Sequence, residues 1–594
     1  MKSLALIFIL LINCSIFLSQ ARGQNSESEK LHALFEEDWN WKMEQYPEWA
    51  TVLGFNDYDD KLTDLSFDAI EYRKKHDLEM LDKIRKVDRS LLSGQDLVSY
   101  DLFLRNLKET VEGHQFTEEY FMVDQLNGPH LNFMQIPNFM PFKDVSDYRN
   151  YISRLNAFPE YIGQIIHILQ KGINENWVQP SAPLRSVSSQ IEDLLVAEVT
   201  NSPLYKPFEN FPNSIVEADR RQLRREGSNA LSAMVMPALS RFLKFISEIY
   251  LPSCRDVISI SSIPNGEDYY KYRIRESTTT PLTAKEIHEI GLSEVDRIRE
   301  EMGQILEQAE FKGNFSEFLQ YLRTNPQFYY QNPQDLITGY RDICKRADAE
   351  LPKLFKELPR NTYGIRAFPD YEAPSQTTAR YYPGAADGSR AGYFMVNTYK
   401  LDSRPKYEME ALSLHEAVPG HHLQISRAQE LGNLPQFRRN TYYQAYVEGW
   451  GLYAESLGER MGFYKDPYSK FGQLTYEMWR ACRLVVDTGI HAFGWSREKA
   501  IDYMMKNTGK TENDIIVEVD RYIVWPGQAL AYKIGELKIK ELRTLAEQEL
   551  RSTFDLRLFH NTILDDGPLP LDILERNVSV WINAQKSNAN LSEE

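Results

Sequence analysis

Eight residues, His415-Glu416-Ala417-Val418-Pro419-Gly420-His421-His422, restrict what this chain can fold into. Three imidazoles and a carboxylate so close in sequence act together only if the backbone turns them towards one point. In the usual His-Glu-x-x-His helix the two histidines lie one turn apart on one face. Here the fourth residue after His415 is Pro419, and the next histidines are His421 and His422. A straight helix would set His422 in phase with His415 but about 10 Å away along the axis, at roughly 1.5 Å per residue. Pro419 removes a ladder donor and clashes with the preceding turn, and Gly420 tolerates unusual dihedrals. The pattern therefore predicts a bulge or kink at Pro419-Gly420 that brings His421 or His422 back towards His415. Both histidines stay open as the second ligand, with a lean to His421.

A third ligand is available downstream in Tyr446-Val447-Glu448-Gly449-Trp450. Two histidines, one carboxylate and an open position for water form the ligand set of hydrolytic zinc sites. His415, His421 or His422, and Glu448 are therefore expected to bind one divalent metal. Zinc is the first choice; manganese and cobalt suit the same donors. Glu416, next to His415, fits a general base that later returns its proton to a leaving amine. Glu455 lies seven residues after Glu448. It reads as an exposed residue, with orientation of a ligand histidine as the alternative. A second histidine-glutamate pair, His288-Glu289, has no partner histidine and reads as solvated helix surface.

Most of the chain carries helical periodicity. The runs cover residues 65–110, 145–172, 186–200, 406–431, 440–460, 470–494, 497–506, 512–522 and 527–551. Thr283-Ala284-Lys285-Glu286 is a capping box that opens a helix to about Gln308. Residues 379–382 and 391–397 are the strand candidates, expected to pair as a small ribbon beside the metal helix. Its edge could hold an extended peptide by backbone hydrogen bonds, with Tyr393 and Asn397 contacting substrate; a structural hairpin is the competing reading. The expected architecture is mainly α, a large two-lobed helical fold with a deep cleft. A boundary near residues 252–268 divides an N-terminal helical region, 24–265, from a C-terminal catalytic region, 266–594.

Further polar residues cluster late in the chain. Arg483, Asp487 and His491 share one helical face, so Asp487 could fix the His491 tautomer and His491 could stabilise an oxyanion. Tyr522 or Tyr532 could donate to a tetrahedral intermediate, and Arg521 could hold a substrate carboxylate. A structural ion-pair ladder competes with these roles.

The N-terminal segment reads as a secretory signal ending near residue 23, with a positive start, an apolar run and small residues before the cleavage point. Leu11-Ile12-Asn13-Cys14 faintly resembles an acylation box, so lipid anchoring at Cys14 is the lesser reading. No later segment is expected to span a bilayer. The remaining cysteines, Cys254, Cys344 and Cys482, are few and widely spaced and read as buried thiols. The net charge of −17 argues against a nucleic-acid partner. The expected location is secreted, periplasmic or cell-envelope.

Four segments together resemble the DUF885 family, a domain of unknown function common in bacterial secreted proteins and lipoproteins. They are His415-Glu416-x-x-Pro419-Gly420-His421-His422-x-Gln424, Tyr446-x-Glu448-Gly449-Trp450, Arg483 to Gly489 with His491, and Trp525-Pro526-Gly527-Gln528. The family looks like a distant relative of the helical gluzincin-type zinc peptidases, although its histidine spacing is wider. The resemblance implies a mostly α metallopeptidase acting on short peptides. The alternatives are a peptide-binding protein without turnover, or a metal-dependent amidase or esterase.

Overall fold

The computed structural model describes residues 26–369, 373, 376–385, 388, 390–432 and 434–593. The signal reading of residues 1–23 and the acylation reading at Cys14 lie outside these residues. The fold is mainly α with one small sheet. The chain separates into two compact units. One holds Met1–Ile258, Ser262–Asn265 and Pro435–Phe437; the other holds Ser259–Ser261, Gly266–Leu434 and Arg438–Glu594.

The first unit is built on helices α1 (Phe67–Ile84), α2 (Gly94–Gly113) and α3 (Val145–Asn174), followed by the continuous helix α4 (Glu217–Ser253). Asp144 and Asp147 close a capping box at the start of α3, and Phe158, Ile162, Ile165 and Leu169 along it are buried. The helix expected over 186–200 is shorter: Val187–Glu192 is helical and a separate 3-10 turn covers Val199–Asn201. Two wide π-helical turns, Leu231–Val235 and Ile246–Tyr250, interrupt α4. By length and composition α4 is apolar enough to cross a membrane, which the sequence reading did not anticipate. Its Leu223, Leu231, Val235, Leu239, Phe242 and Tyr250 are nevertheless buried in protein, which accounts for the apolar run as core packing.

The second unit contains every candidate site residue. Its helices are α5 (Gly266–Thr278), α6 (Ala284–Gln308), α7 (Pro333–Leu354), α8 (Met409–Glu416), α9 (His421–Gln429), α10 (Gln444–Ser456), α11 (Pro467–His491), α12 (Glu512–Val524), α13 (Ala531–Leu550) and α14 (Leu571–Glu593). The predicted Thr283/Glu286 capping box is present. His288 is not a solvated surface residue: its Nδ1 lies 2.8 Å from Thr488 Oγ1, and Phe493 and Trp495 pack on its ring. Cys344 and Cys482 are buried free thiols, whereas Cys254 is half-buried.

Two features hold the helices that carry the site. Helices α10 and α13 touch backbone to backbone, because a Cβ on Gly535 would stand 1.8 Å from the Ala445 carbonyl oxygen. Lys533, fully buried two residues before Gly535, is neutralised by Glu294 at 2.9 Å, Glu477 at 2.8 Å and Glu536 at 2.6 Å. That cluster ties α13 to α6 and α11, and removing Lys533 would leave its buried carboxylates short of a counter-charge.

The sheet has strand order β1 (Tyr363–Ala367), β3 (Gly392–Val396), β2 (Ala379–Tyr382). β2 pairs antiparallel with β3 as expected. β1, which periodicity did not reveal, runs parallel to β3 on its other side.

Candidate metal centre

The predicted break falls at Pro419-Gly420. Helix α8 stops at Glu416 and α9 starts at His421. The turn is held by the His422 amide donating to the Ala417 carbonyl at 3.1 Å and by Trp450 Nε1 donating to the Pro419 carbonyl at 2.9 Å. Gly420 is required, since a Cβ there would lie 1.9 Å from the His415 carbonyl oxygen. The turn replaces a straight two-turn helix and sets the His415 and His421 rings edge to face, centroids 4.6 Å apart.

Glu448 completes the cluster from α10. Its Oε2 lies 3.6 Å from Nε2 of His415 and 3.6 Å from Nε2 of His421. One ligand atom from each of the three residues falls within 4.8 Å of the others. Donors on a tetrahedral ion with bonds of about 2.1 Å stand about 3.4 Å apart. The observed separations therefore fit a shared cation better than they fit direct hydrogen bonds. His415 and His421 are 3% and 9% exposed.

The electrostatics agree with this donor set. Burial opposes charge on Glu448, but His415 and His421 hold its carboxyl well below the usual carboxylate range. Burial likewise opposes protonation of His415, yet Glu448 and Glu455 raise it to about 9. Glu455 is fully buried, not exposed as its sequence context suggested; its Oε1 lies 2.8 Å from Nδ1 of His415. A carboxylate can only accept, so Nδ1 keeps its proton on Glu455, and a cation bound at the cluster would displace the second proton from Nε2.

Several expected residues are placed otherwise. His422 points away from the cluster: its Nδ1 lies 2.8 Å from the Tyr381 hydroxyl and 3.3 Å from Ser426 Oγ, and burial lowers its pKa to about 4. Of the open pair, His421 is the one that lies with His415 and Glu448. His491 is fully buried; its Nδ1 accepts from the Ile260 amide at 3.1 Å, and its Nε2 donates to the Tyr522 carbonyl at 2.9 Å. That leaves it no N–H for an oxyanion. Asp487 receives the Tyr270 hydroxyl at 2.6 Å and the Gly527 amide at 3.1 Å. Burial pushes its pKa to about 7. Asn397 is fully buried and spends its amide on the carbonyls of Ala373, Gln376 and Thr377, so it pins a loop. Tyr393 is half-buried and receives Arg366 Nη2 at 2.5 Å. Arg521 bonds Glu518 through two nitrogens and Gln528 through the third.

Glu416 follows His415 at the end of α8, and Tyr532 lies near Glu448. Glu416 Oε2 accepts the Tyr381 amide at 2.8 Å. The Asn397 amide bonds the Thr378 carbonyl, so pairing alternates and the Tyr381 N–H faces away from β3, out of the free edge of β2. Tyr532 sits on the first turn of α13 beside the α10 crossing; burial and then the Glu448 carboxylate raise its hydroxyl pKa. Tyr442, which sequence reasoning missed, donates its hydroxyl to Glu448 Oε1 at 2.9 Å. No periodic or motif signal marks Tyr442, because it precedes α10 in an irregular stretch.

The helical fold and the two-histidine, one-carboxylate cluster define a mainly α protein with a candidate metal centre. The chain belongs to the family described as bacterial protein of unknown function (DUF885), whose model matches residues 47–578. No curated protein matches it. It is similar to the crystal structure of a candidate lipoprotein from Colwellia psychrerythraea, with TM-score 0.87 and 28% identity over 94% of this chain and 100% of that one. It also shares its fold with a candidate lipoprotein of unknown function from Shewanella oneidensis, with TM-score 0.72 and 17% identity over 92% of this chain and 98% of that one.

Proposed function

We propose that this protein is a metal-dependent peptidase of the cell envelope. The observation that carries the reading is the convergence of His415 Nε2, His421 Nε2 and Glu448 Oε2, with the His415 proton locked onto Glu455 and Glu416 next in sequence. Zinc is the ion this donor set favours. A divalent ion there would act as a Lewis acid on the scissile carbonyl and lower the pKa of water.

The chain's own residues then have distinct tasks. Glu416, anchored through Oε2 to the Tyr381 amide, keeps Oε1 without a protein partner among the described residues. Through that atom it accepts a proton from water as the water oxygen bonds the carbonyl carbon. It passes the proton to the amine nitrogen as the C–N bond breaks, leaving a carboxylate and a protonated amine. Tyr532, whose burial keeps the hydroxyl protonated, donates to the carbonyl oxygen as negative charge develops. Tyr442 holds Glu448 through Oε1. The burial of both histidines favours a loose peptide end over a folded loop.

The envelope location is supported by the candidate-lipoprotein description of the Colwellia relative and by the signal-like residues 1–23. The test of the activity is Glu416→Gln on a peptide library. The variant should retain metal and lose about 100-fold or more in rate; full hydrolysis by a metal-loaded variant would remove Glu416 from the chemistry.

A further inference from the structure

The Arg483 guanidinium is one of several in the second unit with a buried nitrogen left without a partner, and it is the one that lies over Tyr532. It projects from α11, is 7% exposed, and lies 4.5 Å over the Tyr532 ring. Its Nε donates to the Tyr522 hydroxyl at 3.0 Å and its Nη2 donates to Glu518 at 2.8 Å. Its Nη1 is buried and has no hydrogen-bond partner. Arg521 differs in having all three nitrogens engaged. The two guanidiniums share one carboxylate, Glu518, so this cluster carries a positive charge beyond what Glu518 balances.

A buried N–H that has given up water without gaining an acceptor is costly, and a carboxylate is its strongest complement. Tyr532 links this group to the site. One side of the residue meets Arg483, and the Glu448 carboxylate is near enough to raise its hydroxyl pKa. The Gly449–Gly535 contact holds that arrangement, fixing the first turn of α13 beside Glu448. An anion received at Nη1 would thus sit one tyrosine side chain from the metal ligands.

We infer that Arg483 receives the terminal α-carboxylate of the substrate, so that the protein acts on peptides with a free C-terminus, as a carboxypeptidase or dipeptidase does. This inference rests on the peptidase reading and narrows it. The sequence pointed to Arg521 for this role; the spare donor is on Arg483.

The test uses matched peptides that differ only in a free or an amidated C-terminus. Binding to the metal-loaded Glu416→Gln protein is measured by calorimetry, and hydrolysis is measured with wild type. Amidation should weaken binding and lower kcat/KM by about 100-fold, as expected for loss of a charge-assisted pair. Arg483→Lys, which keeps a cation for Glu518 but loses the planar fork, should lose most of the discrimination between the free and the amidated peptide. Hydrolysis by wild type without discrimination between the pair overturns this inference and leaves the peptidase reading standing. Discrimination in binding without hydrolysis overturns the peptidase reading and keeps only the carboxylate-binding part of this inference. If neither peptide binds or is cleaved, both fail. Because wild type alone gives the free-versus-amide comparison, a misfolded Arg483 variant does not decide the result.

Discussion

Glu455 holds the Nδ1 proton of His415 at 2.8 Å, and this one contact aims the opposite ring nitrogen at Glu448 and His421. The proton is fixed because Glu455 is fully buried and can only accept. Glu455→Gln keeps the shape but can present an N–H instead, which favours the wrong tautomer. Metal affinity should fall about 10- to 100-fold, measured by competition with a chelator. Unchanged affinity would mean that packing alone orients the ring.

Tyr532 should act on the reaction without holding the metal. Tyr532→Phe is expected to retain bound metal and to lose about 100-fold in kcat. Steady-state kinetics with a metal assay on the same preparation reads both. An unaltered kcat would assign oxyanion stabilisation elsewhere.

The α10–α13 crossing depends on having no side chain at Gly535. Gly535→Ala should destabilise by about 3–5 kcal/mol, because the new methyl must displace backbone. Gly303→Ala on α6 is a control: a Cβ there meets nothing within 4 Å. It should stabilise by about 0.5–1 kcal/mol. Urea unfolding of both variants checks the contrast, and equal effects would contradict the close-contact account.

His560 makes the fold sensitive to acid. It is fully buried, 2.9 Å from the Tyr453 hydroxyl and donating to the Leu354 carbonyl at 2.8 Å, and burial lowers its pKa to about 3. The unfolded chain binds that proton near pH 6.5 and the folded chain does not. Its contribution is therefore present above about 6.5 and is lost as pH falls towards 3, by about 1.4 kcal/mol per unit. His560→Gln should show a shallower loss of thermal stability between pH 7 and 4. Parallel curves for the two proteins would remove His560 as a source of acid lability. His560 also packs its ring against Trp450, which pins the Pro419 turn, so acid should loosen the site as well.

Local chemistry made part of this protein readable in its sequence. Pro419 and Gly420 announced the helix break because their backbone constraints do not depend on tertiary context. The Thr283/Glu286 cap and the β2–β3 pair followed from short-range pattern in the same way. Contacts made across the fold were not readable. His421 and His422 are adjacent and chemically identical, and only the position of α10 turns one towards Glu448 and the other towards Tyr381. Glu455 reads as surface until α8 packs on it, and Arg483, Asp487 and His491 share a helical face yet take unrelated partners. β1 escaped notice because its parallel pairing has no hairpin turn to mark it.

The central claim is that His415, His421 and Glu448, but not His422, hold a catalytic metal. Mass-spectrometric metal content of purified wild type, His421→Ala and His422→Ala after zinc loading tests it most directly. The account predicts about one zinc per chain in wild type and in His422→Ala, and none in His421→Ala. Zinc retained by His421→Ala and lost from His422→Ala, or no metal in wild type, would contradict it.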